Sequence, residues 1–167
     1  RFFKDPEILG YQYIGNLSDY QNKNIKEDRL RQYLRLKGYA DKLIDAAVMQ
    51  LQQEAGNLSR GVYDANKTVY SRLKYGIPVS ESPEKPPVTV ELIDEANPLN
   101  NDFAIAEEVT VVEQQEKRPD LVIYLNGIAV AVIELKRSSI SVSEGIRQNL
   151  TNQKDSFIRG FFTTMQF

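Results

Sequence analysis

Lys117-Arg-Pro-Asp120-Leu-Val-Ile-Tyr-Leu-Asn126-Gly127-Ile-Ala-Val-Ala-Val-Ile-Glu134-Leu-Lys136-Arg137 is the stretch that decides how this chain is read. Two runs rich in β-branched and other apolar residues flank an Asn-Gly pair, the strongest short signal for a β-hairpin. Side chains alternate between faces along a strand. The odd positions 121, 123, 125, 129, 131, 133 and 135 are all apolar, and the even positions become charged only at the ends, at Asp120, Glu134 and Lys136. Two apolar faces predict central strands covered on both sides. Charges at the ends of such strands are costly unless paired or bound to a metal, so these three residues need a joint explanation.

Whether they can meet depends on the turn. A two-residue Asn126-Gly127 loop pairs Leu125 with Ile128 and Asp120 with Ile133, which turns Glu134 and Lys136 away from Asp120. A three-residue loop with Gly127 in the left-handed region pairs Tyr124 with Ile128 and Asp120 with Val132. Asp120 then lies diagonal to Glu134 on one face, within reach of a shared cation. The expectation is therefore an odd loop or a bulge. A regular two-residue turn with unbroken pairing would remove the site.

Two carboxylates at a strand end can hold Mg²⁺ together with water and phosphate oxygens. Such an ion polarises a phosphate and lowers the pKa of bound water. Lys136, two residues beyond Glu134, points to the same side and could orient or deprotonate the attacking water. The expected chemistry is metal-dependent phosphodiester hydrolysis. The competing reading is structural: Pro-Asp commonly opens a strand, and Glu-x-Lys recurs by chance.

Composition narrows the chemistry further. The 167 residues contain no histidine and no cysteine. That excludes Ser-His-Asp triads, histidine bases, zinc-cysteine sites, thiol nucleophiles and disulfides, and suits an intracellular, cytoplasmic protein. With 41% hydrophobic and 26% charged residues the chain reads as globular. The longest apolar run, residues 128–133, is too short to span a bilayer, so no membrane is expected. The net charge of −2 lacks the basic excess usual in a free-standing DNA binder.

Outward from the hairpin, residues 24–75 read as helical. Asn24-x-x-Glu27 has capping-box form, with Ile25, Leu30 and Leu34 following. Gly38 stops that helix. Asp41 can cap a second, striped by Ile44, Ala47, Val48 and Leu51. A third covers Val62 to Leu73 and ends near Gly76. Four prolines make 78–87 a loop or hinge. Strands follow at Val88–Ile93, Phe103–Ile105 and Val109–Glu113, with a turn at Asn97–Asn101. Ser141-x-x-Glu144 can cap a last helix carrying Ile146, Leu150 and later Phe157. The order predicts one α/β (α+β) domain over 1–167: a helical part at about 1–77, the hinge at 78–87, and a mixed sheet with its following helix at 88–167.

The segment Lys117–Arg137 resembles the nuclease domain of the restriction (R) subunit of type I restriction–modification enzymes. Asn100-Asn-Asp-Phe103, Ala106-Glu-Glu-Val109 and Gly145-Ile-Arg-Gln148 resemble it too, and the likeness runs from about Tyr11 to the end. Pro119-Asp120…Glu134-Leu135-Lys136 has the form of the PD-(D/E)xK nuclease motif. The resemblance implies a restriction-endonuclease-like fold and a Mg²⁺-dependent endonuclease domain that cuts DNA without reading sequence. Asp120 and Glu134 would be metal ligands and Lys136 the catalytic lysine. Gln148 would match the Gln of a Gln-x-x-x-Tyr element, with Asn152 replacing the Tyr; its position permits a cleft-facing or a solvated side chain.

Some members of the wider superfamily use a further acid from an early helix. Glu27 is the candidate, against its capping role. Glu107 and Glu108 are others, of which strand alternation admits at most one. Arg118, Arg137, Arg147 and Arg159 are phosphate contacts or ordinary surface charge. R subunits carry motor domains and work with methylation and specificity subunits. This chain has no Gly-x-x-x-x-Gly-Lys-Ser/Thr loop, so ATP would act only through motor domains absent from it. It reads as a fragment of a larger chain, its partners double-stranded DNA and those subunits. The alternatives are a non-catalytic nuclease-like docking or DNA-holding module, and a stand-alone repair nuclease of the same fold.

Overall fold

In a computed structural model of the chain, the described residues are 2–3, 5, 7–135, 142–154 and 156–167. A four-stranded mixed sheet is built from β1 (Gln12–Asn16), β4 (Phe103–Glu107), β7 (Leu121–Leu125) and β8 (Ile128–Ile133), in the order β1-β4-β7-β8. β4, β7 and β8 form an antiparallel meander, and β1 joins β4 in parallel. Two ribbons complete the strands: β2 (Ile77–Val79) with β3 (Val88–Val90), and β5 (Val111–Val112) with β6 (Glu116–Lys117). The 78–87 stretch thus includes Pro78 in β2 and the loop leading to β3. This is an α+β fold around a mixed sheet, as the order of elements predicts, and it is consistent with the restriction-endonuclease-like fold that the resemblance implies.

One face of the sheet carries three helices, α1 (Glu27–Leu36), α2 (Asp41–Gly56) and α3 (Val62–Tyr75). The predicted α2 stripe of Ile44, Ala47, Val48 and Leu51 is buried, and it packs with Leu30 and Leu34 of α1 and Val69 and Leu73 of α3. Ile128 and Val130 supply the sheet side of this cluster. The other face carries Ala104, Ala106, Val122, Tyr124 and Ala129, covered by Ile158, Phe161 and Phe162. Both faces of the hairpin are thus covered, as its composition requires. Among the described residues no helix is long and apolar enough to cross a membrane.

Several local expectations change. The Asn24–Glu27 capping box does not form. The Asn24 amide donates instead to the Gly160 carbonyl and Thr163 Oγ1, and Glu27 accepts from Arg31 and Gln52. Asp41 is the first residue of α2 rather than its cap, and it pairs with Arg35. Helix α4 (Val142–Asn152) does not bury its apolar stripe: Ile146 and Leu150 are exposed while Asn152 is buried. Ser141, the proposed cap of α4, lies outside the described residues. β1 was not among the expected strands.

β8 lies at the sheet edge rather than in its centre. Its outer edge is nevertheless occupied. The Ala129 amide donates to the Asn24 carbonyl, the Val130 carbonyl accepts the amides of Gln166 and Phe167, and Thr164 Oγ1 donates to the Ala129 carbonyl. Backbone groups that a neighbouring strand would otherwise pair are satisfied by chain segments from both ends of the sequence.

Candidate functional site

The hairpin turn is the two-residue form. Leu125 pairs with Ile128, and Asn126 and Gly127 both have positive φ, 51° and 81°. A type I′ turn requires this at both central positions. Gly127 is also sterically fixed, since a Cβ there would stand 2.6 Å from the Lys26 carbonyl oxygen and 2.8 Å from the Leu30 nitrogen. The Asn126 side chain is fully buried. Its Oδ1 accepts from the Asp102 amide at 2.7 Å, and its Nδ2 donates to the Leu92 carbonyl and to Asn101 Oδ1, each at 2.8 Å.

A two-residue turn alone would separate the carboxylates, but the pairing does not stay regular. Tyr124 pairs with Ala129, whereas Ile123 pairs with Ala131, so Val130 is an extra residue on β8. This is a β-bulge, in which two residues on one strand oppose one on the other. Its effect on parity is visible in the cores. Ala129 and Val132, three apart, both pack on the Tyr124 face, whereas Ile128 and Val130 pack on the helical face. Beyond the bulge Val122 pairs with Val132 and Leu121 with Ile133. One further step in that register sets Asp120 opposite Glu134. The expected bulge is present, but within β8 rather than at the turn. Carried that one residue past the strand ends, the register puts the two acids opposite each other rather than diagonal. Opposed residues share a face, with Cβ atoms about 4.5–5.5 Å apart.

Further contacts tie this end together. Asp120 Oδ2 accepts the Leu135 amide at 2.6 Å, and Gln148 Nε2 donates to Glu134 Oε2 at 3.1 Å. Gln148, though solvent-exposed, thus reaches Glu134 from α4. Asp120 and Glu134 are half-buried. Lys136 and Arg137 lie outside the described residues.

The other acids divide differently. Glu27 sits at the start of α1, where Lys26 N–H donates to the Gly127 carbonyl, at the turn end of the hairpin. That is the length of β7 away from Asp120, on the order of 20 Å at strand rise, so Glu27 does not join the pair. Glu107 and Glu108 both line an open cleft of about 440 Å³ with Asp120, Tyr13 and Leu135. Strand alternation does not separate them, because Glu108 lies past the end of β4 with φ 52°. Each has its own partner: the Tyr13 hydroxyl donates to Glu107 at 3.2 Å, and Arg118 pairs with Glu108 at 3.0 Å. Among the described residues no three acids gather closely enough to hold one metal ion. Sequence reasoning missed Tyr13. The alternation Tyr11-Gln-Tyr-Ile was its only signal.

These features define a class: an α+β domain of restriction-endonuclease-like architecture with two carboxylates at the open end of its β7–β8 hairpin. The chain belongs to the family described as type I restriction enzyme R protein N terminus, which it matches over residues 4–167. It is also similar to a Methanocaldococcus jannaschii protein assigned as the endonuclease subunit of the type I restriction enzyme MjaIXP. That likeness is 33% identity over 97 residues, covering 53% of this chain. The aligned part is 9% of the length of that relative.

Proposed function

We propose that this chain is a Mg²⁺-dependent endonuclease domain that hydrolyses DNA phosphodiesters without reading their sequence. The observation that carries the reading is the bulge at Val130, after which Val122 pairs with Val132 and Leu121 with Ile133; that register, carried one residue further, brings Asp120 and Glu134 to one face. The donor set suits a hard divalent cation, because it offers carboxylate oxygens and the chain has no histidine or cysteine. Asp120 and Glu134 would hold the ion. When bound, it would polarise the phosphate and lower the pKa of a coordinated water.

The chain's own residues have separable tasks in this reading. The Leu135 amide fixes the Asp120 carboxylate, and Gln148 fixes that of Glu134. Preorganised ligands avoid reorganisation when charge develops on the phosphate. Lys136 would orient the attacking water or take its proton. The likeness to the M. jannaschii endonuclease subunit supports the assignment to restriction. DNA and the methylation and specificity subunits are the proposed partners, with ATP consumed only in motor domains elsewhere in the R protein.

The test is DNA nicking by the complete R protein in Mg²⁺. Lys136→Ala is expected to reduce the rate on the order of 10²–10⁴-fold with an unchanged thermal melt. Cutting at the parental rate by that variant would leave a non-catalytic docking module as the better description.

A further inference from the structure

We propose that Lys117 and Arg147 form a phosphate shelf beside the carboxylate pair, holding the backbone of the DNA strand next to the cut. The proposal rests on the nuclease reading and extends it to how substrate is held. Lys117 and Arg147 come from different elements, β6 and α4, yet both line one open groove of about 330 Å³. Gln148 and Thr151 line the same groove, and Gln148 is the residue hydrogen-bonded to Glu134. The groove therefore adjoins the site, and the two cations face a path along which a strand could leave it. Lys117 also lies only three residues before Asp120.

The groove is positioned by packing. Lys117 pairs with Val111 across the β5–β6 ribbon, and its ammonium lies 4.6 Å from the centroid of the Phe157 ring. The ribbon is tied to the segment after α4. The Gln114 amide donates to the Phe157 carbonyl, and the Glu113 carboxylate accepts the amides of Gly160 and Phe161. Those contacts hold the ribbon that carries Lys117 against the segment following α4.

Charge accounting separates these two residues from other cations near the site. Arg118 is neutralised by Glu108, whereas among the described residues neither Lys117 nor Arg147 is in an ion pair. Glu144 also lines the groove, leaving a local surplus of one positive charge. A positive surplus next to the carboxylates is where phosphate is best received. A phosphodiester backbone offers repeated single charges with no sequence information, which suits a domain that cuts without reading bases.

The test uses the complete R protein with a short duplex lacking a recognition site, without ATP, and with Ca²⁺ replacing Mg²⁺ to hold the DNA uncut. Binding is measured against salt for the parent, for Lys117→Gln/Arg147→Gln and for Lys117→Arg/Arg147→Lys. Each lost phosphate contact lowers the slope of log K on log salt by about 0.9. The neutral double variant is expected to lose about 1.8 in slope and the charge-preserving one to retain it, both with parental melting curves. An unchanged slope in the neutral variant overturns the shelf. So does an intact slope with lost binding to another subunit, which would make the groove a protein-docking surface. Glu134→Gln keeps the two readings apart. A reduced shelf slope with undiminished cutting by Glu134→Gln would sink the nuclease assignment and leave the shelf standing. Lost cutting with an unchanged shelf slope would do the reverse.

Discussion

The two ends of the β7–β8 hairpin are built on opposite plans. At the turn end the polar groups are buried and multiply bonded. Asn126 has no exposed surface, its partner Asn101 and the Asp94 bonded to Asn101 are nearly as buried, and α1 begins directly against Gly127. At the open end Asp120 and Glu134 are half-exposed, flanked by a wide cleft and by the exposed face of α4. The turn end fixes register, and the open end uses it. Stability and the proposed chemistry thus lie on one hairpin about five residues apart, joined by a single bulged residue. Substitutions at the two ends should therefore have different readouts.

Deletion of Val130 probes that joint and carries the largest expected effect. Removing the extra residue restores regular pairing and turns Glu134 to the face opposite Asp120. DNA cutting by the R protein should fall as far as in Glu134→Gln, on the order of 10²–10⁴-fold. A deletion variant that folds and still cuts would show that face parity does not matter. Gly127→Ala should act on the other end. Its Cβ would meet backbone of α1, and its positive φ disfavours any side chain. We expect a loss of about 2–4 kcal/mol in urea unfolding. Unchanged stability would mean that α1 can retreat from the turn at no cost.

Smaller effects sharpen the contrast. Gln148→Ala removes a hydrogen bond to Glu134 without touching the turn, so cutting should drop on the order of 10–100-fold while the melting temperature holds. A parallel loss of stability would place α4 in the folding core instead. Asp94, which supports the Asn101–Asn126 network, gives the last comparison. Hydrogen bonds from Asn100, Lys37 and the Asn97 amide hold its carboxyl down at about 2. A lowered folded pKa adds stability that is complete above the unfolded value near 3.8 and is lost as pH falls towards 2. Asp94→Asn should flatten acid unfolding across that window, with little change in the pH dependence above 5. Acid melts of the two proteins with the same slope would refute this.

The hairpin was legible because its signals are local: an Asn-Gly pair, two apolar runs and charged ends. The α2 stripe was legible for the same reason, its period of 3.6. What sequence could not place was the bulge, because Val130 looks like every other residue of Ile128–Ile133. Only the competition between a two-residue turn and two separately filled cores selects it. The failed capping box at Asn24 teaches a related point. Its amide is drawn to Gly160 and Thr163, about 140 residues on, and a tertiary partner displaced the local one. The α4 stripe misled because periodicity says which residues share a face, not which face is turned inward.

The parallel pairing of β1 has a consequence for the order in which the chain folds. Gln12 meets Ala104 and Tyr13 meets Ile105, so closing that contact gathers about 90 residues of intervening chain. β4, β7 and β8, by contrast, lie within a short meander. Loop-closure entropy favours the meander forming first and the distant strand docking on its finished edge. Tyr13, which walls the cleft beside Asp120, would then be last to arrive and first to leave. Amide hydrogen exchange at Tyr13 to Asn16, faster than across β7, would register that order.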